Sequence, residues 1–236
     1  MQRRCSPFVH LRYNASVNTP KDDQSRFRFS LVVGLIALLA CAMGAYFATR
    51  QATAEVPDIQ GFLWPDPVIL HDFTLLEAHG GVFDAARLDG HWTLLFFGFT
   101  HCPDVCPTTL NTLKTVRSAL RDVPAFDAHA QILFVSVDPA RDTPAVLRQY
   151  VDYFDPHLLA ATAAPDELNA LTRQLGVLYS KVETDKPSVY SFDHTAAILL
   201  IGPARQFLGV FSPPHHAAEI ETAIRRILAF MQAKRV

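Results

Sequence analysis

The chain has 236 residues, half of them hydrophobic and 19% charged, with a formal net charge of −2. This composition excludes intrinsic disorder, a collagen-like repeat and a small disulfide scaffold. The charge is divided unevenly. Residues 1–30 carry six Lys/Arg against Asp22 and Asp23, whereas the part from Glu55 onward carries 14 Lys/Arg against 21 Asp/Glu, a balance with no footprint for nucleic acid.

In chain order, the basic segment comes first, then 19 residues (31–49) without a charge. At ~1.5 Å per residue such a run crosses a hydrocarbon core of ~30 Å. Only Arg50 follows it closely, so the positive-inside rule predicts residues 1–30 as a basic cytoplasmic tail and 31–49 as a single-pass anchor in the inner (cytoplasmic) membrane. The rest then faces the periplasm or an equivalent exoplasmic space. Ala52-Thr53-Ala54 resembles a signal-peptidase site and Leu38-Leu39-Ala40-Cys41 a lipobox. The uncleaved anchor is favoured, because the run exceeds the ~7–15 apolar residues of a cleaved signal and lipobox cleavage would leave an apolar stub. Cys5 falls in the tail and Cys41 in the anchor, neither with a readable role.

Residues 50–67 hold three prolines and read as a linker. Residues 68–236 read as one domain, large enough to bury a core without disulfides. Residues 68–75 read as a strand leading to a turn at Gly80-Gly81, and the apolar run 93–99 as a strand buried on both faces. Leu110, Leu113, Val116 and Leu120 recur at helical spacing, and residues 132–137 form the next buried strand. Thr143-Pro144 predicts a helix start, with Leu147, Tyr150, Val151 and Phe154 on one face. Pro165 opens a further helix that Gly176 closes. Residues 195–201 and 206–210 read as a strand pair, and 217–233 as a final helix striped by Ile220, Ile224, Ile227 and Leu228. Strand, helix, strand, helix, hairpin, helix is the thioredoxin-like order of an α/β sandwich.

The chemistry gathers in FGFTHCPDVCP, residues 97–107. Cys102 and Cys106 lie four apart where a buried strand hands over to a helix. If both occupy the first helical turn, their sulfurs share a face, and a helix N-terminus favours the thiolate. An oxidising compartment requires such a pair to be kept reduced or metal-bound. A stabilising disulfide is the plain alternative, but its very short loop would remove little unfolded-state entropy. Ten histidines compete as a third ligand. His194, just before the strand at 195–201, falls beside the thiol pair in a thioredoxin-like fold, although a single histidine at a strand end more often caps or packs. Two thiolates and an imidazole form a soft set suited to Cu(I), with Cu(II) accepted through an added ligand. His215-His216 is a second candidate, better read as a turn and cap. His101 either tunes Cys102 or is a solvated loop residue.

FGFTHCPDVCPTTL, VSVDPARDTPAVLRQYVDYF and FDHTAAILLIGP together resemble the Sco/SenC family of membrane-anchored copper proteins, in the same order and spacing from about Val68 to the C-terminus. The resemblance implies a thioredoxin-like fold, copper ligands at Cys102, Cys106 and His194, and a role in maturing the binuclear copper site CuA of cytochrome c oxidase. The implied partners are the oxidase's copper-bearing subunit and a copper donor protein. Asp138 and Asp142 match a family motif near the site, although by shape alone they equally cap the following helix. Gly202-Pro203-Ala204-Arg205 departs from the Asp-Pro-Asp-Gly type of turn common in the family, away from the ligands.

Two functions follow. One is a copper metallochaperone that hands its ion to an apo-oxidase subunit by ligand exchange. The other is a thiol–disulfide oxidoreductase that keeps the oxidase's cysteines reduced. Three residues between the cysteines, where thiol exchange normally has two, and the segment Asp193-His194-Thr195, where thioredoxins place a cis-proline, favour copper. A peroxidase shares the fold but has no need of His194, and ranks third.

Overall fold

The computed structural model describes residues 23–50, 63–183 and 190–233. They belong to two compact units, residues 1–53 and 54–236. Cys5, the Ala52-Thr53-Ala54 site and most of the expected linker lie outside the described residues.

In the first unit, helix α1 (Asp23–Arg50) contains an apolar stretch, Arg28–Tyr46, with a mean hydropathy of 2.2. It is long and apolar enough to cross a membrane. Leu31, Leu35, Leu38 and Met43 are exposed, and apolar residues occur all round this helix and not along one stripe. The helix begins before the predicted anchor and takes in the end of the basic tail.

The second unit is built on an eight-stranded sheet. Its strands are β1 (Leu63–Ile69), β2 (Thr74–Glu77), β3 (Val82–Asp84), β4 (Trp92–Gly98), β5 (Ala130–Ser136), β6 (Leu159–Thr162), β9 (Ile198–Ile201) and β10 (Gln206–Phe211), in the order β1-β10-β9-β4-β5-β6-β2-β3. A separate antiparallel hairpin is formed by β7 (Tyr179–Glu183) and β8 (Tyr190–His194). The helices are α2 (Val105–Ala119), α3 (Pro124–Asp127), α4 (Pro144–Phe154), α5 (Pro165–Leu175) and α6 (Ala217–Ala233), with a short 3-10 turn at Ala85–Leu88.

Strands β4, β5 and β6 run parallel, and β9 closes on β4 antiparallel. Because side chains alternate along a strand, Leu94 and Phe96 of β4, Ile132 and Phe134 of β5, and Ile198 and Leu200 of β9 face one layer with α2, α4 and α6. Leu95, Phe97, Leu133, Val135, Leu199 and Ile201 face the other with α5 and the 3-10 turn. Burial on both faces explains why these strands are unbroken apolar runs.

Most predicted elements are present. Thr143 caps α4, its hydroxyl accepting from Val146 N–H, and Gly176 closes α5 in the left-handed conformation at φ 65°. One expectation fails. Residues 68–75 are not a single strand: β1 pairs with β10 at one edge, β2 pairs with β6 and β3 at the other, and the chain crosses between them. Leu70 and Phe73, buried under the sheet, punctuate that crossing. β1 also starts inside the expected linker, where Pro65 and Pro67 are tolerated because the strand is at an edge.

Candidate metal centre

The thiol pair sits where β4 ends and α2 begins. The two cysteines do not share the first helical turn: α2 starts at Val105, so Cys106 is in the helix and Cys102 lies ahead of it. They meet through capping. The side chain of Asp104 caps no backbone N–H, and Cys102 Sγ accepts from Cys106 N–H at 3.5 Å. Sulfur therefore occupies the position where helix N–H groups favour negative charge. Cys102 itself turns back, its N–H donating to Phe99 O at 3.2 Å. Cys102 is half-buried, Cys106 is fully buried, and both are free thiols.

Gly98 makes room for Cys106. A Cβ at Gly98 would lie 2.7 Å from Cys106 Sγ and 2.7 Å from the Phe134 ring. A glycine inside an otherwise bulky strand thus marks the close approach of helix and sheet.

His194 is the last residue of β8, which carries it over the thiols. Its Nε2 lies 3.9 Å from Cys106 Sγ, and its Nδ1 donates to Thr195 O at 3.2 Å. Since a carbonyl only accepts, the Nδ1 bond leaves the Nε2 lone pair of the neutral ring pointing at sulfur. Burial pushes the His194 pKa below its ordinary value, which keeps that ring neutral. Phe96 and Phe99 wall it edge-on, with ring centroids 6.1 and 6.0 Å away. Burial also drives the Cys106 thiol far above its usual range, and the adjacent Cys102 adds to the shift.

Asp138 and Asp142 do not cap α4, a role taken by Thr143. They brace the two halves of the site. Asp142, fully buried, accepts from Thr100 N–H at 2.9 Å, Thr100 Oγ1 at 2.5 Å and Ser136 Oγ at 2.5 Å, holding the loop that leads to Cys102. Asp138 accepts from Arg141 Nε and, at 3.1 Å, from the Tyr190 hydroxyl. The Arg141 guanidinium lies 3.7 Å over the Tyr190 ring and donates to Tyr190 O. This ties the start of β8, and so His194, to the loop after β5.

His215 is absorbed elsewhere: Nε2 donates to Phe211 O and Nδ1 meets Thr109 Oγ1, both at 3.2 Å. His216 offers its carbonyl to Glu219 and Ile220 N–H at the start of α6, the turn-and-cap role expected of the pair. His101 is exposed.

Among the described residues, no three His, Cys, Asp or Glu side chains are already gathered at metal-binding distances. The donor set nonetheless fits a soft ion. Metal–sulfur and metal–nitrogen bonds of about 2.3 and 2.0 Å place two such donors roughly 3.5–3.7 Å apart across one ion, so the gap between Cys106 and His194 needs only slight closure. Sequence reasoning missed Thr195 O, Ser136, Arg141 and Tyr190, since nothing local in their patterns links them to the cysteines. Gly98 was visible within the motif.

Fold and site together define a class: a thioredoxin-like domain that presents a thiol pair and an imidazole at the end of its central strand, behind a helix fit to anchor it in a membrane. The chain belongs to the SCO1/SenC family, whose model matches residues 65–229. It is 39% identical over 158 residues to the mitochondrial SCO2 homologue of Bos taurus, covering 67% of this chain and 59% of that protein's length. The copper-bound crystal structure of Arabidopsis thaliana ScoI superposes with a TM-score of 0.63 at 32% identity, over 68% of this chain and 99% of that one. The copper-bound Bradyrhizobium japonicum ScoI gives a TM-score of 0.59 at 36% identity, over 67% and 98%.

Proposed function

We propose that this chain is a membrane-anchored copper carrier that holds Cu(I), and Cu(II) with an added ligand, through Cys102, Cys106 and His194. It delivers the ion by ligand exchange to the copper-bearing subunit of cytochrome c oxidase, for its CuA site, and receives it from a copper donor protein. The soluble domain works in the periplasm, with residues 1–30 on the cytoplasmic side. The observation that carries this reading is the pairing of a buried thiol with a half-buried neutral imidazole at 3.9 Å. Burial holds the Cys106 thiol protonated, so it ionises only when a cation takes the proton's place, as a bound metal does. Copper-bound relatives of the same fold support the choice of ion.

The same burial disfavours Cys106 in disulfide exchange, leaving half-buried Cys102 as the accessible nucleophile of the oxidoreductase alternative. The reduced full-length protein in detergent is expected to bind one copper. Cys102→Ser and Cys106→Ser each abolish tight binding, and His194→Ala weakens Cu(II) retention with both thiols still titratable. Unchanged affinity and absorption spectrum in His194→Ala refute the third-ligand assignment. Rapid copper-free thiol transfer to an oxidised apo-oxidase fragment places the oxidoreductase first.

A further inference from the structure

Hydrogen bonding sorts the histidines by which ring nitrogen is left free. His79 is engaged at both nitrogens, by Glu77 at 3.3 Å and Asp152 at 3.2 Å, and His215 is engaged at both by Thr109 and Phe211 O. His194 keeps Nε2 for the thiols. His101, the residue before Cys102, is held in a comparable way by a different device.

The Thr100 hydroxyl has one proton. At 2.5 Å from Asp142 Oδ1 that proton is committed to the buried carboxylate. Toward His101 Nδ1, 3.0 Å away, the hydroxyl oxygen can then only accept, so Nδ1 carries the hydrogen. The neutral ring leaves its Nε2 lone pair free. Asp142 Oδ1, 3.9 Å from His101 Nδ1, stands behind the hydroxyl, so the ring is backed by a carboxylate through Thr100 and not by a direct hydrogen bond. Asp142 is fully buried, but the His101 side chain is 55% exposed. Because Cys102 N–H closes a turn on Phe99 O, imidazole and thiol are consecutive residues on one hydrogen-bonded loop. One oriented imidazole is therefore half-buried between Phe96 and Phe99 with its Nε2 toward Cys106, and a second faces solvent on the residue that precedes the more accessible cysteine.

We propose that His101 is the exchange ligand of this site. It captures Cu(I) from a partner's ligands and offers it back to them, whereas His194 holds the ion at rest. The proposal rests on the copper reading above. The His194 imidazole is half-buried between two phenylalanine rings, whereas the His101 side chain is 55% exposed. An incoming ligand therefore meets the His101 ring first, and associative exchange is served by that exposed donor. In the release step a copper–Nε2 bond to His101 forms as the copper–Nε2 bond to His194 breaks. Both thiolates stay on the metal, each ring keeps its Nδ1 proton, and copper remains Cu(I) with no electron transferred.

The test uses full-length protein in detergent with bathocuproine disulfonate as the Cu(I) acceptor, comparing stopped-flow capture and release rates with equilibrium affinity from competition. His101→Ala is expected to slow capture and release alike by about tenfold, the scale of a lost supporting contact at a metal site, and to leave affinity unchanged. Thr100→Val, which removes the hydroxyl that fixes the ring, is expected to slow both rates to a lesser degree. Unchanged rates in both variants overturn the proposal, and so does an affinity loss in His101→Ala, which makes His101 a resident ligand instead. His194→Ala run alongside must lose affinity; if it does not, the underlying site assignment fails independently of His101.

Discussion

Replacing Gly98 by alanine tests whether the close approach of β4 to α2 sets the position of the buried thiol. The added Cβ would lie 2.7 Å from both Cys106 Sγ and Phe134 Cε2, roughly 1 Å inside the ~3.5–4.0 Å at which nonbonded carbon atoms sit. Neither neighbour can swing clear. Cys106 has a single side-chain torsion and sits in the first turn of α2, and Phe134 is held between Phe96 and Tyr150, with ring centroids at 6.2 and 5.7 Å. The helix must shift outward, at an overpacking cost of about 1–3 kcal/mol. With a urea m-value of about 2 kcal/mol/M, that lowers the unfolding midpoint by roughly 0.5–1.5 M. The shift also carries Cys106 away from His194, so copper affinity falls together with stability. Urea titration followed by fluorescence of buried Trp92, with copper competition on the same preparation, measures both. An unchanged midpoint with unchanged affinity would refute the close-approach argument; lower stability with intact affinity would show that the thiol adjusts independently of the helix.

Asp142→Asn is expected to destabilise by about 1–3 kcal/mol, because three donors converge on the carboxylate and an amide places an N–H against one of them; chemical denaturation reads this directly. Stability is expected to fall as pH is lowered below about 6.5. His194 and His215 both have pKa values lowered by burial, so their stabilising contribution is intact above the unfolded value and lost as pH falls toward the folded one. His215→Gln should flatten part of that dependence in urea melts at pH 5 and 7.5. Thr143→Ala removes the hydroxyl that accepts from Val146 N–H and should cost about 1 kcal/mol with copper affinity unchanged, a control that separates stability from binding.

Much of the fold was legible because local patterns and tertiary surroundings agree. The run at 93–99 could only be a strand buried on both faces, and Thr143-Pro144 and Gly176 set helix ends through backbone chemistry that acts within a few residues. The elements missed lack such signals. β6 reads Leu-Ala-Ala-Thr, with little β-propensity of its own, and is a strand because β5 and β2 pair with it. The hairpin of β7 and β8 is largely exposed and shows no apolar run, yet it delivers His194.

The site divides along the same line. Sequence by itself identified the candidate donors, two cysteines four apart at a strand–helix junction and a histidine before a strand, because these are covalent facts and local patterns. It also determined a helix long and apolar enough to cross a membrane, since that depends only on length and hydropathy. Only the tertiary structure decided that Cys102 caps α2 from outside the helix, that Thr195 O turns His194 Nε2 toward sulfur, and that His215 is spent on Thr109 and Phe211. The capping by Cys102 and the Thr195 bond are short-range, but they matter because the fold brings His194 to Cys106 across 88 residues and His215 to Thr109 across 106, and no local pattern encodes those meetings.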